Sequence, residues 1–435
     1  MLKAIISIWT LFFGLLFISA GSGLQVVLLG TRAPEAGFSN IATGIVMSGY
    51  FAGIFAGSII VPHILARVGH VRVFGAMSAI ASAAVLVHLV FLDPFVWTGM
   101  RFASGFSFAG MYIVCESWLN EKATNETRGQ LLSVYMITNL GGMTAGQLMI
   151  SLGQPGGSGL FLLASIMVSV AVVPILITAG TAPSFETPDR ISFRRLAQVS
   201  PLAVVGMVFV GVVVSMLFGM GAVYGRNIGL DNTQVGYFMA SITLGTLALQ
   251  YPIGRLSDRF DRRVVIFGVA LVAGVTISIA GFLGADQFVL LFILMLVFGG
   301  LLFSLYSLFI AHANDYLPPS QMVAMSSGLL MVNSAGAVLG SPLAATVIEI
   351  AGVEGFLPTI GAFLFLLAGF ILYRMSMRSA VPAEAQGVFV AIPDASSGVA
   401  VNLSPEVEWV VEQERADEEN DPFKNNPYVN QTQVY

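Results

Sequence analysis

Charge is scarce in this sequence. Asp, Glu, Lys and Arg make up 10% of its 435 residues, against roughly 25% in a soluble domain. That shortage excludes an ordinary water-facing surface over most of the chain. Cysteine is nearly absent. The single Cys115 excludes an internal disulfide framework and a Cys-rich metal site, and its place within an apolar run marks it as packing. There is no Gly-x-x-x-x-Gly-Lys-Ser/Thr element, so ATP is not used directly. No His, Asp and Glu cluster has metal-ligand spacing, and no nucleophile and base are grouped as an enzyme requires. Nothing suggests nucleic-acid binding. The expectation is a chain with no cofactor and no metal, and not an enzyme.

What fills the chain instead is apolar. Such residues make up 56%, and the mean hydropathy is +0.85. A membrane-spanning helix needs about 20 apolar residues. Twelve segments of that kind are predicted, near 5–30, 40–65, 73–92, 95–119, 129–152, 159–181, 199–225, 234–254, 264–284, 288–314, 322–348 and 356–377. Strands of a membrane barrel would be shorter and would alternate in polarity. The fold class is therefore all-α integral membrane. Lys3 before an apolar run resembles a signal peptide, but the run is longer than the usual core of about 7–15 residues. It is read as an uncleaved first helix.

Lys and Arg placement sets the orientation. Lys3, Arg67, Arg72, Lys122, Arg128, Arg190, Arg194, Arg195, Arg255, Arg259, Arg262, Arg263, Arg374, Arg378, Arg415 and Lys424 fall on one side, and only Arg32 and Arg226 on the other. Both termini are expected in the cytoplasm, in a multi-pass inner-membrane protein that is a monomer. Residues 379–435 hold ten acids and two bases, a charge of −8, so the rest of the chain carries +3. A basic cytoplasmic face suits anionic membrane lipids. The tail is too polar for a packed core. It is read as a solvated extension, with a short surface helix near 404–419 starting at Ser404, or else as a docking tail for a partner or for the basic loops near Arg259 and Arg263.

The sequence can be laid on itself with a shift near 194 residues. Arg32 meets Arg226, Gly105 meets Gly299, and Tyr112 meets Tyr306. Asn120-Glu121 meets Asn314-Asp315, Asn139 meets Asn333, Gly142 meets Gly336, and Gly146 meets Gly340. Rare polar residues matching in order point to two homologous halves: a bundle over 1–181, a linker over 182–198, a second bundle over 199–377, and the tail over 378–435.

The segment between the eighth and ninth predicted helices reads Gly254-Arg255-Leu256-Ser257-Asp258-Arg259-Phe260-Asp261-Arg262-Arg263. It resembles the signature loop of the major facilitator superfamily of secondary transporters, Gly-x-x-x-Asp-Arg-x-Gly-Arg-Arg/Lys. Gly254, Asp258, Arg259, Arg262 and Arg263 match, while Asp261 replaces the second glycine. The first-half copy, Pro62–Val71, has Ala66 where the aspartate should be. The resemblance covers about residues 5–377. Trp118, Asn120 and Thr124 resemble an element of uncharacterised bacterial members. The family implies two six-helix repeats, with helices one, four, seven and ten around a cavity and two, five, eight and eleven at the moving interface.

On that reading Asp258 docks at the start of the fifth helix, capped by Asn125 or Thr127, and pairs with Arg128. Arg255 or Arg259 faces Glu121. The alternative is that these charges only set topology. Arg101 falls inside a span, where charges usually face a cavity or a partner, and Arg101-x-x-x-Gly105 resembles a family element. Arg101, Gly105, Phe108, Tyr112 and Glu116 share one helical face. Arg101 is expected to bind an anionic substrate group or to help move a proton; the bland reading is an arginine snorkelling to the interface. Glu116 is either a proton-coupling group or a charge paired with a loop arginine. Asn139 and Asn333 bind substrate or glue helices together. Tyr112 and Tyr306 flank the cavity, and Gln25, Gln147, Gln250 and Tyr224 are weaker candidates. His88 and His312 titrate in a useful range, but packing is the simpler role. Drug–proton exchange is disfavoured, because Gly146 is followed by Gln147 rather than proline.

The function expected is secondary active transport of a small molecule by alternating access, coupled to protons. The alternative is a transporter-like membrane sensor or scaffold that signals through the acidic tail.

Overall fold

A backbone in hydrocarbon must satisfy its own hydrogen bonds, and a helix does so within one segment. The computed structural model describes residues 9–124, 127–178, 192–317 and 319–377, together with 381, 386, 387, 389 and 391. Its long helices are α1 (Trp9–Glu35), α2 (Asn40–Val68), α3 (His70–Val90), α4 (Pro94–Lys122), α5 (Arg128–Leu148) and α6 (Gly159–Thr178). They continue as α7 (Pro201–Asn227), α8 (Asn232–Ser257), α9 (Arg262–Ala280), α10 (Phe288–Asn314), α11 (Pro319–Ala351) and α12 (Phe356–Met377). A seven-residue helix, Phe193–Val199, leads into α7. Lys3, Arg190, Arg378, Asn125, most of the linker and the 404–419 segment lie outside the described residues.

Local chemistry fixes the starts. Asp93 accepts from the Val96 amide at 2.9 Å and is followed by Pro94, the residue suited to a first helical position. Ser200 and Pro201 repeat the device at α7. Asp231 and Gln234 form a capping box at α8. Arg32 and Arg226, expected just beyond their helices, occupy the last turns of α1 and α7.

Nine helices among the described residues are long and apolar enough to cross a membrane. The long helices missing from that group are α4, α5 and α8. These three carry Arg101, Glu116, Asn139, Gln147, Thr243 and Gln250, all of them buried. Their polarity points inward. Outward, the surface is apolar, with Ile177, Phe282, Val289 and Ile350 each more than 70% exposed.

The helices pack in matching pairs. α1 packs on α5 and α6, α2 on α4, and α3 on α4 and α6; α7 packs on α11 and α12, α8 on α10, and α9 on α10 and α12. Small residues set the closest approaches. A Cβ at Gly142 would lie 2.7 Å from the Leu16 carbonyl, and one at Gly336 would lie 2.5 Å from the Val208 carbonyl. The first six helices meet the last six mainly where α2 faces α11 and α5 faces α8.

Gly142→Val should therefore lower the thermal midpoint in detergent, by the equivalent of about 1–3 kcal/mol. Gly141→Val, one residue along and with open space around it, should change it little. Equal midpoints for the two variants would show that α1 and α5 are not held at this spacing.

Candidate functional site

Arg101 lies two turns into α4, about 10 Å from its start at 1.5 Å per residue. It is 1% exposed. Its guanidinium carbon sits 4.4 Å from the centre of the Tyr50 ring, a cation–π arrangement. Nη1 donates to Gln25 Oε1 at 3.5 Å, and Gln25 Nε2 donates to Ser104 Oγ at 3.4 Å. The Tyr50 hydroxyl lies 3.4 Å from Ser22 Oγ. Arg101 Nε is buried without a hydrogen-bond partner. Residues of α1, α2 and α4 thus surround a buried cation with neutral groups. None of the ion pairs among the described residues includes it.

Glu116 is fully buried four turns further along α4. It accepts from the Tyr135 hydroxyl of α5 at 2.6 Å. The next residue, Ser117, bonds His70 Nε2 at 2.8 Å, and the His70 ring stacks on Trp118. Tyr112 and Tyr306 are buried on α4 and α10. Asn139 and Asn333 are buried on α5 and α11, and each carries an amide atom without a hydrogen-bond partner, Nδ2 in the first and Oδ1 in the second.

Side-chain contacts between the two sets of helices gather at one end. Asn40 donates to Glu349 at 3.2 Å. The Thr144 and Thr243 hydroxyls lie 2.9 Å apart, and Thr243 donates to Gln147 Oε1 at 3.0 Å. Gly44 abuts Ser341 and Ala345, and Gly236 abuts Gln147 and Ile150. This end is opposite the Gly254–Arg263 loop.

At the loop end Arg262 is the hub. Its side chain is 1% exposed. Nε donates to Ser257 at 3.0 Å, Nη1 to Asp315 at 2.5 Å and Nη2 to the Gly387 carbonyl at 2.5 Å. Asp258 lies 3.6 Å from Arg262 and accepts from the Phe389 amide at 2.8 Å. Arg128, the expected partner of Asp258, does not pair with it here. The physical reason is that the halves meet at the far end, so the partners of Asp258 come from its own loop and from the tail. Arg255 stacks over Tyr251 at 4.6 Å rather than facing Glu121, and Arg259 is exposed. Asp261 caps α9 and receives the Arg263 side chain at 2.9 Å. Burial alone would raise the Asp261 carboxyl, but the Arg263 hydrogen bonds outweigh it and hold it below the usual value. Burial wins at Asp315, which sits above the usual carboxylate value despite Arg262 and the Gly387 amide. Thr127 precedes α5, but its hydroxyl bonds back to the Thr124 amide instead of capping the helix.

The family model described as Major Facilitator Superfamily matches residues 202–400. A protein of Salmonella heidelberg described as an uncharacterized MFS-type transporter, YcaD, is 29% identical over 334 residues, covering 75% of this chain and 86% of the relative. Its Salmonella arizonae counterpart is 29% identical over 338 residues, with 75% and 86% covered. The chain is thus similar to proteins of the major facilitator superfamily in its second half and along most of its length. Solved structures share the fold at 13% identity. The nucleoside transporter NupG superposes with a TM-score of 0.71, covering 85% of this chain and 99% of that one. The E. coli fucose:proton symporter FucP gives 0.53, with 85% and 99% covered. The relatives are described as transporters, and nine helices among the described residues of this chain are long and apolar enough to cross a membrane.

Tyr50, Tyr135, Asp315, Gly387 and Phe389 escaped the sequence reading as site residues. Asp315 had a signal, since it falls opposite Glu121 in the repeat; the others are common residue types in unremarkable positions. Tyr135→Phe removes the donor to Glu116 and should cost about 1–3 kcal/mol, read as a fall in thermal midpoint. No fall would mean that the Tyr135–Glu116 bond does not hold α4 against α5.

Proposed function

We propose that this chain is a member of the major facilitator superfamily, a secondary transporter that crosses the membrane twelve times as two six-helix repeats. It carries a small anionic molecule by alternating access, with both termini in the cytoplasm. The observation that carries the reading is Arg101, a buried cation lined by neutral partners. A charge inside a membrane helix is costly unless something compensates it. Tyr50, Gln25 and Ser104 orient the guanidinium without neutralising it, which leaves that role for the substrate. Asn139 and Asn333, with amide atoms left over, supply hydrogen bonds from the two halves near the midplane. Tyr112 and Tyr306 line the path.

The matched helix pairs support the repeat. α4, α5 and α8 fall short of the apolar threshold because they face one another and the substrate, not lipid. With the arginine-rich loops in the cytoplasm, the joined end of the molecule faces outward, and the conformation is inward-facing. Asp258, Arg259, Arg262, Arg263, Gly254 and Arg128 then belong to the cytoplasmic gate. Docking of Asp258 near Arg128 is reserved for the outward-facing state. Glu116 sits where a proton could enter from the cytoplasm, and its bond to Tyr135 holds the carboxyl between α4 and α5. Proton coupling through Glu116 completes the reading.

The test is uptake by proteoliposomes of anionic metabolites chosen by thermal-shift screening, with and without a pH gradient. Arg101→Ala should reduce uptake at least tenfold, the cost of about 1.4 kcal/mol or more. Asn139→Ala and Asn333→Ala should raise KM. Glu116→Gln should retain substrate binding and lose gradient dependence. Uptake that is indifferent to Arg101 would overturn the anion assignment, and gradient-driven uptake by Glu116→Gln would remove Glu116 from the coupling.

A further inference from the structure

Beyond α12 the described residues include Gln386, Gly387, Phe389 and Ala391. Gly387 and Phe389 meet the Gly254–Arg263 loop and Asp315 through their backbone groups. The Gly387 amide donates to Asp315 Oδ1 at 3.1 Å, and its carbonyl accepts from Arg262 Nη2. Two residues on, the Phe389 amide donates to Asp258 Oδ1 at 2.8 Å. Gln386 steadies the approach by donating to the Val381 carbonyl at 3.0 Å. Phe389 and Ala391 pack against the apolar core. The Phe389 ring lies so close to Gly254 that any Cβ there would overlap it.

We propose that Gly387 and Phe389 form an intramolecular latch, which binds the Gly254–Arg263 loop and Asp315 in the inward-facing state and must leave before the cytoplasmic side closes. The proposal rests on the alternating-access reading. Its physical basis is competition for one carboxylate. Asp258 Oδ1 accepts from the Phe389 amide at 2.8 Å and lies 3.6 Å from Arg262 Nη2. An aspartate held by the tail is not available to the start of α5. The latch also explains Gly254 in structural terms: a side chain there would displace the Phe389 ring. Hydrogen bonds to charged groups are the strong ones, and the latch makes its three to Asp258, Arg262 and Asp315. Recognition runs through the tail's backbone, so it depends on chain geometry more than on the acidic residues further along.

Conformation can be read without any substrate. Spin labels at Arg67→Cys and Gln321→Cys report the cytoplasmic ends of α2 and α11; the native Cys115 is buried. The F389P variant removes both the amide donor and the ring, and should raise the ratio of short to long label separations roughly tenfold, the size expected when bonds to a charged partner are lost. A chain ending at residue 380 should behave in the same way, and adding a peptide of residues 381–391 should restore the long separation. Gly44→Leu, which crowds Ser341 and Ala345 at the opposite end, is the control for alternation itself. If Gly44→Leu shifts the distances and F389P and the truncation do not, the latch is overturned and alternation stands. If none of the three shifts them, both readings fall.

Discussion

Contact between glycine and a neighbouring helix's backbone is the constraint on which the rest of this structure depends. Lipid tails are as apolar as leucine, so helices in a bilayer gain little from hiding apolar side chains against each other. They associate where backbones come close. Gly142 and Gly146 bring α5 onto α1, Gly336 and Gly340 bring α11 onto α7, Gly105 brings α4 onto Tyr50 of α2, and Gly299 brings α10 onto Ile242 of α8. These contacts leave no room for side chains between the helices. Bulk is displaced outward to the lipid face, where Phe282 and Ile350 stand exposed, and polar groups are displaced inward.

That displacement explains why the three least apolar long helices are α4, α5 and α8. A hydropathy reading treats Arg101, Glu116 and Gln250 as costs against insertion. In the folded molecule each finds a partner on another helix: Tyr50 and Gln25 for Arg101, Tyr135 for Glu116, and Ser307 for Gln250. The same arrangement makes Arg101 unusual. Its partners are all neutral, so it is held in position while its charge remains available. Glu116 and Gln250 each have a described bond that ties two helices of one half together. Arg101 instead draws on three helices.

Much of this was legible beforehand. Helix positions followed from apolar runs and charge spacing, with shifts of a few residues at the ends, because caps such as Asp93 and Asp231 extend a helix past its apolar part. The close helix contacts at Gly142, Gly146, Gly336 and Gly340 fell on glycines that the sequence had paired. The buried placement of Arg101 and Glu116 followed from one helical face. Other features were hidden for identifiable reasons. Tyr50 and Tyr135 act through rings and hydroxyls that any packed tyrosine could present. Asp258 was expected to meet a side chain of another helix, whereas it accepts from the Phe389 amide and lies beside Arg262 of its own loop. Gly387 and Phe389 act largely through the backbone, and a backbone donor leaves no mark in the sequence.

The Gly254–Arg263 loop and the Pro62–Val71 stretch differ in the charge they carry, and their described contacts differ accordingly. With the two-residue slip, Asp258 corresponds to Ala66 and Arg262 to His70. His70 bonds Ser117 and stacks on Trp118, tying α3 to α4 by neutral contacts within the first half. Arg262 does the corresponding job between α9 and the end of α10 through Asp315, but a guanidinium has five donors. Ser257 and Asp315 do not use them all. Asp258 and Asp315, both acceptors, likewise retain lone pairs after meeting one arginine. The surplus of donors and acceptors sits together at a site where Arg262 and Asp315 are buried and Asp258 is half-buried, and leaving buried polar groups unmatched is costly. A peptide backbone offers one donor and one acceptor per residue at fixed spacing, and Gly387 and Phe389 supply them. The charge that distinguishes the second loop from the first is thus also what makes it able to bind an extended chain.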